Sequence, residues 1–247
     1  MNPILPVAGN GAIFSHGAFS QFHKKDLASY LTLKEYRRHN PNNPVHLVSD
    51  GGDDFSAFAD EFRCRYVYEK INNATYRCRH AATNQYVWLR RVYDACLTTF
   101  SDIDWIVLLE SDVETLRSPV LIPQFALGGP GLGPAWTEPL KDLFRNKFQN
   151  LSAKQGLGHS YTGCGGSVLN KLAFMECFRK TEFPTFIHAK TLDRRILETE
   201  DATLSFLFQI NGYDTGRWGE VTGWCDRNQS SYAFVHGNKQ YYNKPLP

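Results

Sequence analysis

No apolar run in the 247 residues approaches the roughly 20 residues that a membrane-spanning helix needs, and no basic segment leading into an apolar one opens the chain. A membrane span and an export signal are therefore not expected, and a cytoplasmic protein is. Excess charge is lacking as well. Twenty-seven Lys and Arg stand against 25 Asp and Glu, a net charge of +2, so the electrostatic footprint of a nucleic-acid binder is missing and no nucleic-acid partner is expected. Six cysteines, Cys64, Cys78, Cys96, Cys164, Cys177 and Cys225, are scattered without C-x-x-C spacing. That argues against zinc and suits buried free thiols in a reducing compartment.

What is present is apolar residue, 42%, with 14% aromatic, enough for a substantial core in one domain of this length. The most informative stretch is Asp104-Trp-Ile-Val-Leu-Leu-Glu110-Ser-Asp112-Val-Glu114. Trp105 to Leu109 reads as a strand buried on both faces, which puts Glu110, Ser111 and Asp112 at its carboxyl end, where open α/β sheets bind ligands. Oxygens of this kind hold hard divalent cations, Mg²⁺ or Mn²⁺. Taken alone the run also fits an ordinary acidic turn after a buried strand.

Along the chain, Ala12 to Ser15 reads as a strand ending in Ser15-His16-Gly17, followed by a helix through about Arg38. Val45 to Ser49 reads as a strand stopping at Asp50-Gly-Gly, Phe55 to Phe62 as a helix and Tyr66 to Tyr68 as a strand. This alternation predicts a parallel sheet. Tyr86, Leu89, Tyr93, Cys96 and Phe100 recur at helical steps in a helix from about Arg79 to Phe100, with Arg90 and Arg91 beside that face. Gly128-Gly-Pro-Gly-Leu-Gly-Pro134, followed by Trp136, predicts a loop over the site. A polar helix is expected over Pro139 to Asn150. Tyr161-Thr-Gly-Cys-Gly-Gly166 is expected to open an apolar helix from Ser167 to Arg179, bringing bare backbone to a ligand. Glu198-Thr-Glu200-Asp201 precedes a helix through Ile210, and Tyr232 to His236 is a strand ending in histidine with Lys239 close behind. Acidic residues in a first helical turn also serve the helix dipole, and a lone histidine is usually structural.

These stations, in this order, resemble the GT-A-fold glycosyltransferases, which use nucleotide-diphosphate sugars. Glu110-Ser111-Asp112 is similar to their acidic metal motif, with Glu where the family more often has Asp. Gly163 to Gly166 is similar to their glycine-rich acceptor loop, Glu200-Asp201 to the acidic pair of the acceptor-side helix, and His236-Gly-Asn-Lys239 to the carboxyl-terminal metal histidine and phosphate lysine. Arg91 is placed like a donor-phosphate residue of some subfamilies.

The resemblance implies a single α/β domain with a mostly parallel central sheet flanked by helices, residues 1–115 forming the nucleotide-sugar half and 116–247 the acceptor half. It implies a UDP- or GDP-sugar donor, a glycan or other hydroxyl acceptor, and Mn²⁺ or Mg²⁺ on Asp112, His236 and Glu110. Ser15, His16, Asp50, Arg91, Ser111 and Lys239 join Glu110 in holding the donor, and Trp136, Gly165 and Gly166 face the acceptor. Asp201, supported by Glu200, is the expected general base of an inverting transfer, although retaining subfamilies carry similar residues. Two rivals remain. A nucleotidylyltransferase would follow its first strand with a long Gly-rich loop, whereas here only Gly17 follows Ser15-His16. A non-catalytic carbohydrate-binding protein would account for exposed Trp136, Trp218 and Trp224 without the acidic set.

Overall fold

A computed structural model describes residues 14–70, 84–131, 133–148, 158, 160–163, 165–223, 226, 229–237 and 239–246. Its central feature is a seven-stranded sheet. Four parallel strands form one half of it: β1 (His16–Phe22), β2 (Val45–Asp50), β3 (Arg65–Glu69) and β4 (Trp105–Leu109). Three more follow: β6 (Leu127–Gly129), β7 (Val168–Asn170) and β8 (Thr215–Arg217). The order is β3-β2-β1-β4-β7-β6-β8, with β7 antiparallel to both of its neighbours. A small second sheet of β5 (Val113–Thr115), β10 (Phe234–His236) and β9 (Val221–Gly223) stands beside the end of β4. This mostly parallel sheet flanked by helices is the fold class expected of a GT-A-like chain. Strands from both halves of the chain build it.

The period-two alternation of buried strands explains the two-sided core. Ile106 and Leu108 of β4 join one apolar cluster with Leu89, Val92 and Phe174. Trp105, Val107 and Leu109 join the other with Leu33 and Tyr36. On the first face pack α3 (Asn84–Thr98), α5 (Lys171–Lys180) and α7 (Glu200–Ile210), and on the second lies α1 (Leu27–His39). Helix α1 starts where Asp26 and Ser29 form a reciprocal cap: Ser29 N–H donates to Asp26 Oδ1 at 3.0 Å and Asp26 N–H to Ser29 Oγ at 3.1 Å. Helix α2 (Ser56–Glu61) lies close to its expected place, as does α4 (Glu138–Lys147), while α6 (Phe183–Leu192) carried no clear periodic signal. No helix among the described residues is long and apolar enough to cross a membrane.

Three expectations are corrected. The first strand begins at His16, where the reading from sequence ended it. Gly128 and Gly129 do not loop over the site: they lie buried in β6, because glycine there lets Trp218 pack directly on the strand. The Gly163–Gly166 turn leads into strand β7, and the helix starts only at Lys171, capped by Asn170, whose Oδ1 accepts from Ala173 N–H at 3.0 Å. Val168-Leu169 is too short an apolar pair for periodicity to separate strand from helix. The start expected for α3, residues 79–83, lies outside the described residues.

Candidate active site

At the carboxyl edge of the parallel strands, β4 gives way to the acidic turn Glu110-Ser111-Asp112. The turn is closed by Val113 N–H donating to Glu110 O at 3.0 Å and anchored from α1 by Thr32 Oγ1 donating to Val113 O at 3.0 Å. The chain enters β5 immediately afterwards, and β10 pairs antiparallel with it so that His236 lies opposite Val113. One residue further on, Gly237 N–H donates to Asp112 O at 3.1 Å. The ladder thus carries a histidine from the far end of the chain to the acidic turn. His236 Nε2 is 3.5 Å from Asp112 Oδ1 and 3.6 Å from Glu110 Oε2.

This set fits a divalent cation. One ligand atom each from Glu110, Asp112 and His236 lies within 4.8 Å of the others, and two carboxylate oxygens with one imidazole suit Mn²⁺. Asp112 is 4% exposed, and its Oδ1 accepts no hydrogen bond among the described residues, a costly state for a buried oxygen unless something else is to satisfy it. Burial, then the Glu110 charge, raise the Asp112 pKa; His236 and Lys239 oppose them. Gly165 makes room for the cluster: a Cβ there would stand 3.0 Å from Glu110 Cβ and 3.0 Å from His236 Cδ2. Gly166, at φ +83°, turns the chain so that its N–H donates to Leu108 O at 2.6 Å.

Helix α7 brings in the second acidic pair. Thr199 caps it, its Oγ1 accepting from Ala202 N–H at 3.3 Å, and Glu200 and Asp201 fill the first turn. Asp201 lies under Gly163, its Cα 3.8 Å from where a Cβ on that glycine would be. Burial pushes its carboxyl well above the usual range, with the Glu110, Glu200 and Asp112 charges in the same direction and His236 against them. The metal-type triad and the helix start therefore share one electrostatic field. The inner face of α7 holds the approach segment: Thr162 N–H donates to Ser205 Oγ at 3.0 Å, and Gln209 Nε2 donates to Ser160 O at 2.7 Å.

Of the remaining candidates, Ser111 and Glu200 line a crevice of about 670 Å³, open to solvent, together with Gln21, Trp88 and Glu110. Asp50 ends β2, buried, with Oδ1 2.8 Å from His23 Nδ1. Lys239 is exposed and acts electrostatically on Asp112. Arg91 is 7% exposed, and its Nη1 donates to Gln21 Oε1 at 2.8 Å.

Ser15 and His16 are not brought to the site. Trp105 N–H donates to Ser15 O, and His16 pairs in register with Trp105 at the amino edge, so the seven residues of β1, at ~3.3 Å each, separate them from the crevice. His16 stacks on Phe14 instead. Trp136 is buried, its Nε1 donating to Gln209 Oε1 at 2.7 Å and Arg195 lying over its ring, so it is no exposed aromatic or lid. Trp218 is buried as well, and Trp224 lies outside the described residues.

Sequence reasoning missed Gln21 and His23, which occupy the β1 end that had been assigned to Ser15 and His16. Apolar Ala18 and Phe19 are followed by polar Ser20 and Gln21, so no alternation marks the strand's end. It also missed Tyr242, partly buried beside the acidic turn, where burial raises its hydroxyl pKa against an opposing hydrogen bond from Ser111.

No protein-family model matches the chain, and no curated protein matches it. Among solved structures it is similar to the galactosyltransferase LgtC in complex with donor and acceptor sugar analogs, at 14% identity over 90% of this chain and 86% of that one, with a TM-score of 0.48.

Proposed function

We propose that the chain is a metal-dependent GT-A-type glycosyltransferase that moves a sugar from a UDP- or GDP-sugar to a hydroxyl acceptor, a glycan by preference, with inversion. The observation that carries this reading is the buried Asp112 Oδ1, without a hydrogen bond among the described residues, facing His236 and Glu110 at the carboxyl edge of the sheet, beside an open crevice. Glu110, Asp112 and His236 would hold a divalent cation there, which would supply charge stabilisation to the departing diphosphate. Lys239 adds a point charge from the exposed side. The amino-terminal half, through the β2 end at Asp50, contributes the nucleotide side. Asp201 takes the proton of the attacking acceptor hydroxyl, and a carboxylate with a raised pKa is the stronger base for that step. The nucleotidylyltransferase rival calls for a Gly-rich loop after the first strand, and β1 is followed instead by His23-Lys-Lys25 and the Asp26 cap.

The test is nucleotide release from a panel of UDP- and GDP-sugars without acceptor, with Mn²⁺ and with chelator. Release in Mn²⁺ that stops in chelator is expected. Turnover of nucleoside triphosphate and sugar phosphate in place of any nucleotide sugar would overturn the reading.

A further inference from the structure

Arg91 and Gln21 form a pair whose consequence lies in the crevice. A guanidinium has five donors and no acceptor, so the Gln21 atom 2.8 Å from Arg91 Nη1 must be its oxygen. The amide is thereby held in one of its two flips. Its –NH₂ group, which meets no described partner, is left to the crevice that Gln21 lines with Trp88, Glu110, Ser111 and Glu200. Arg91 itself is 7% exposed and sits in the attraction of Glu69 and Asp50. Its described hydrogen bond on the crevice side is the one to Gln21.

The crevice wall therefore carries acceptor-only carboxylates at Glu110 and Glu200 and a donor-only amide at Gln21. With Glu110 engaged by a cation in the reading above, the carboxylate left beside the amide is Glu200, and a phosphate oxygen, which only accepts, would satisfy the amide but meet that carboxylate. A sugar hydroxyl both donates and accepts, and a ring bearing neighbouring hydroxyls satisfies both kinds of group. We infer that Gln21 is a specificity-determining residue that donates to a hydroxyl oxygen of the transferred sugar, with Arg91 as the positioning residue that fixes its polarity. This rests on the glycosyltransferase reading above.

The test is a calorimetric titration, in Mn²⁺, of the nucleotide sugar that the parent protein binds best and of the matching free nucleoside diphosphate, for the parent, Gln21→Glu and Arg91→Met. Gln21→Glu keeps size and gives Arg91 a carboxylate partner, so the fold is retained, while the donor facing the crevice becomes an acceptor. The expected result is a loss of about tenfold or more in affinity for the nucleotide sugar, with a clearly smaller loss for the nucleoside diphosphate. Arg91→Met should give a smaller loss of the same selectivity, because the amide can then flip. Equal affinity of Gln21→Glu and parent for the nucleotide sugar, or an equal loss for both ligands, overturns the role of Gln21 and leaves the glycosyltransferase reading standing. A parent that binds no nucleotide sugar overturns that reading and this one with it.

Discussion

His236 Nε2 stands 3.5 Å from Asp112 Oδ1 because the β5–β10 ladder, and not proximity in sequence, sets the pair. The carboxylate is buried, it faces Glu110, and it lacks a hydrogen-bond donor at Oδ1 among the described residues. Asp112→Asn keeps the shape and removes a charge that the metal-free protein holds at a cost. Its melting temperature in chelator should equal or exceed that of the parent, while Mn²⁺-linked nucleoside diphosphate binding falls by roughly a hundredfold or more. Scanning calorimetry and titration read the two arms separately. Retained metal-linked binding would remove Asp112 from the cation site.

Gly165 gives an independent probe of the same cluster. A methyl group there would lie 2.5 Å from Val113 Cγ2 and 3.0 Å from both Glu110 Cβ and His236 Cδ2. Overpacking of this kind costs about 1–3 kcal/mol, and besides Val113 the neighbours that must give way are two of the three residues that would hold the cation. Gly165→Ala should lower both stability and Mn²⁺ affinity. Gly131→Ala, where an added Cβ would meet nothing within 4 Å among the described residues, should change neither by more than about 0.5 kcal/mol. Identical melting curves and Mn²⁺ isotherms for the two variants would contradict the close packing at Gly165.

The acidic turn was legible because Trp105–Leu109 is a continuous apolar run whose end is marked by charge, and it fixed the location of Glu110 and Asp112 without knowledge of strand order. The placement of His236 needed only that its strand end near the same edge. The β1 end was misread because the run from Ile13 to Phe22 has apolar residues on both faces, so periodicity does not say where along it the strand stops. Trp136 was misplaced for a different reason. A tryptophan after a glycine-rich stretch looks exposed in sequence, and its burial depends on Gln209, which approaches only once α7 has packed. Gln21 escaped notice because its significance depends on Arg91, a contact between separate elements.

His46 supplies a pH dependence far from the site. It is buried, its Nδ1 2.7 Å from Thr99 Oγ1 and its ring stacked on Phe19. Burial first, then Arg65, lowers its pKa to about 4. The folded pKa lies below the unfolded one, so the unfolded chain binds the extra proton between them. Stability from this group is complete above the ordinary histidine pKa and is lost as pH falls toward 4. The difference between pH 7 and pH 5 is about 2 kcal/mol at most. Urea midpoints at the two pH values should show a drop in the parent that is mostly absent in His46→Gln. The same drop in both proteins would place its origin elsewhere.

Asp201 carries the chemical assignment, and two magnitudes decide it. A positioned general base contributes about 10²–10⁴-fold in rate, whereas a carboxylate that only complements a helix dipole contributes about 0.3–1 kcal/mol of stability. Here the dipole benefit is opposed by burial and by the charges of Glu110, Glu200 and Asp112, all of which disfavour the ionised carboxyl. Asp201→Asn should therefore leave the melting temperature unchanged or raise it, and leave Mn²⁺-linked nucleotide binding near the parental value. Its transfer rate should fall by roughly a hundredfold or more. The sign of the pH profile follows from the raised pKa: the base works when ionised, so parental kcat/KM should decline as pH falls, through a limb set above the ordinary carboxylate range and drawn downward by any cation held at the triad. That limb should vanish in Asp201→Asn. A variant that melts earlier yet transfers sugar at near the parental rate, with its acid limb intact, would make Asp201 a helix-start residue and move the search for the base to another group.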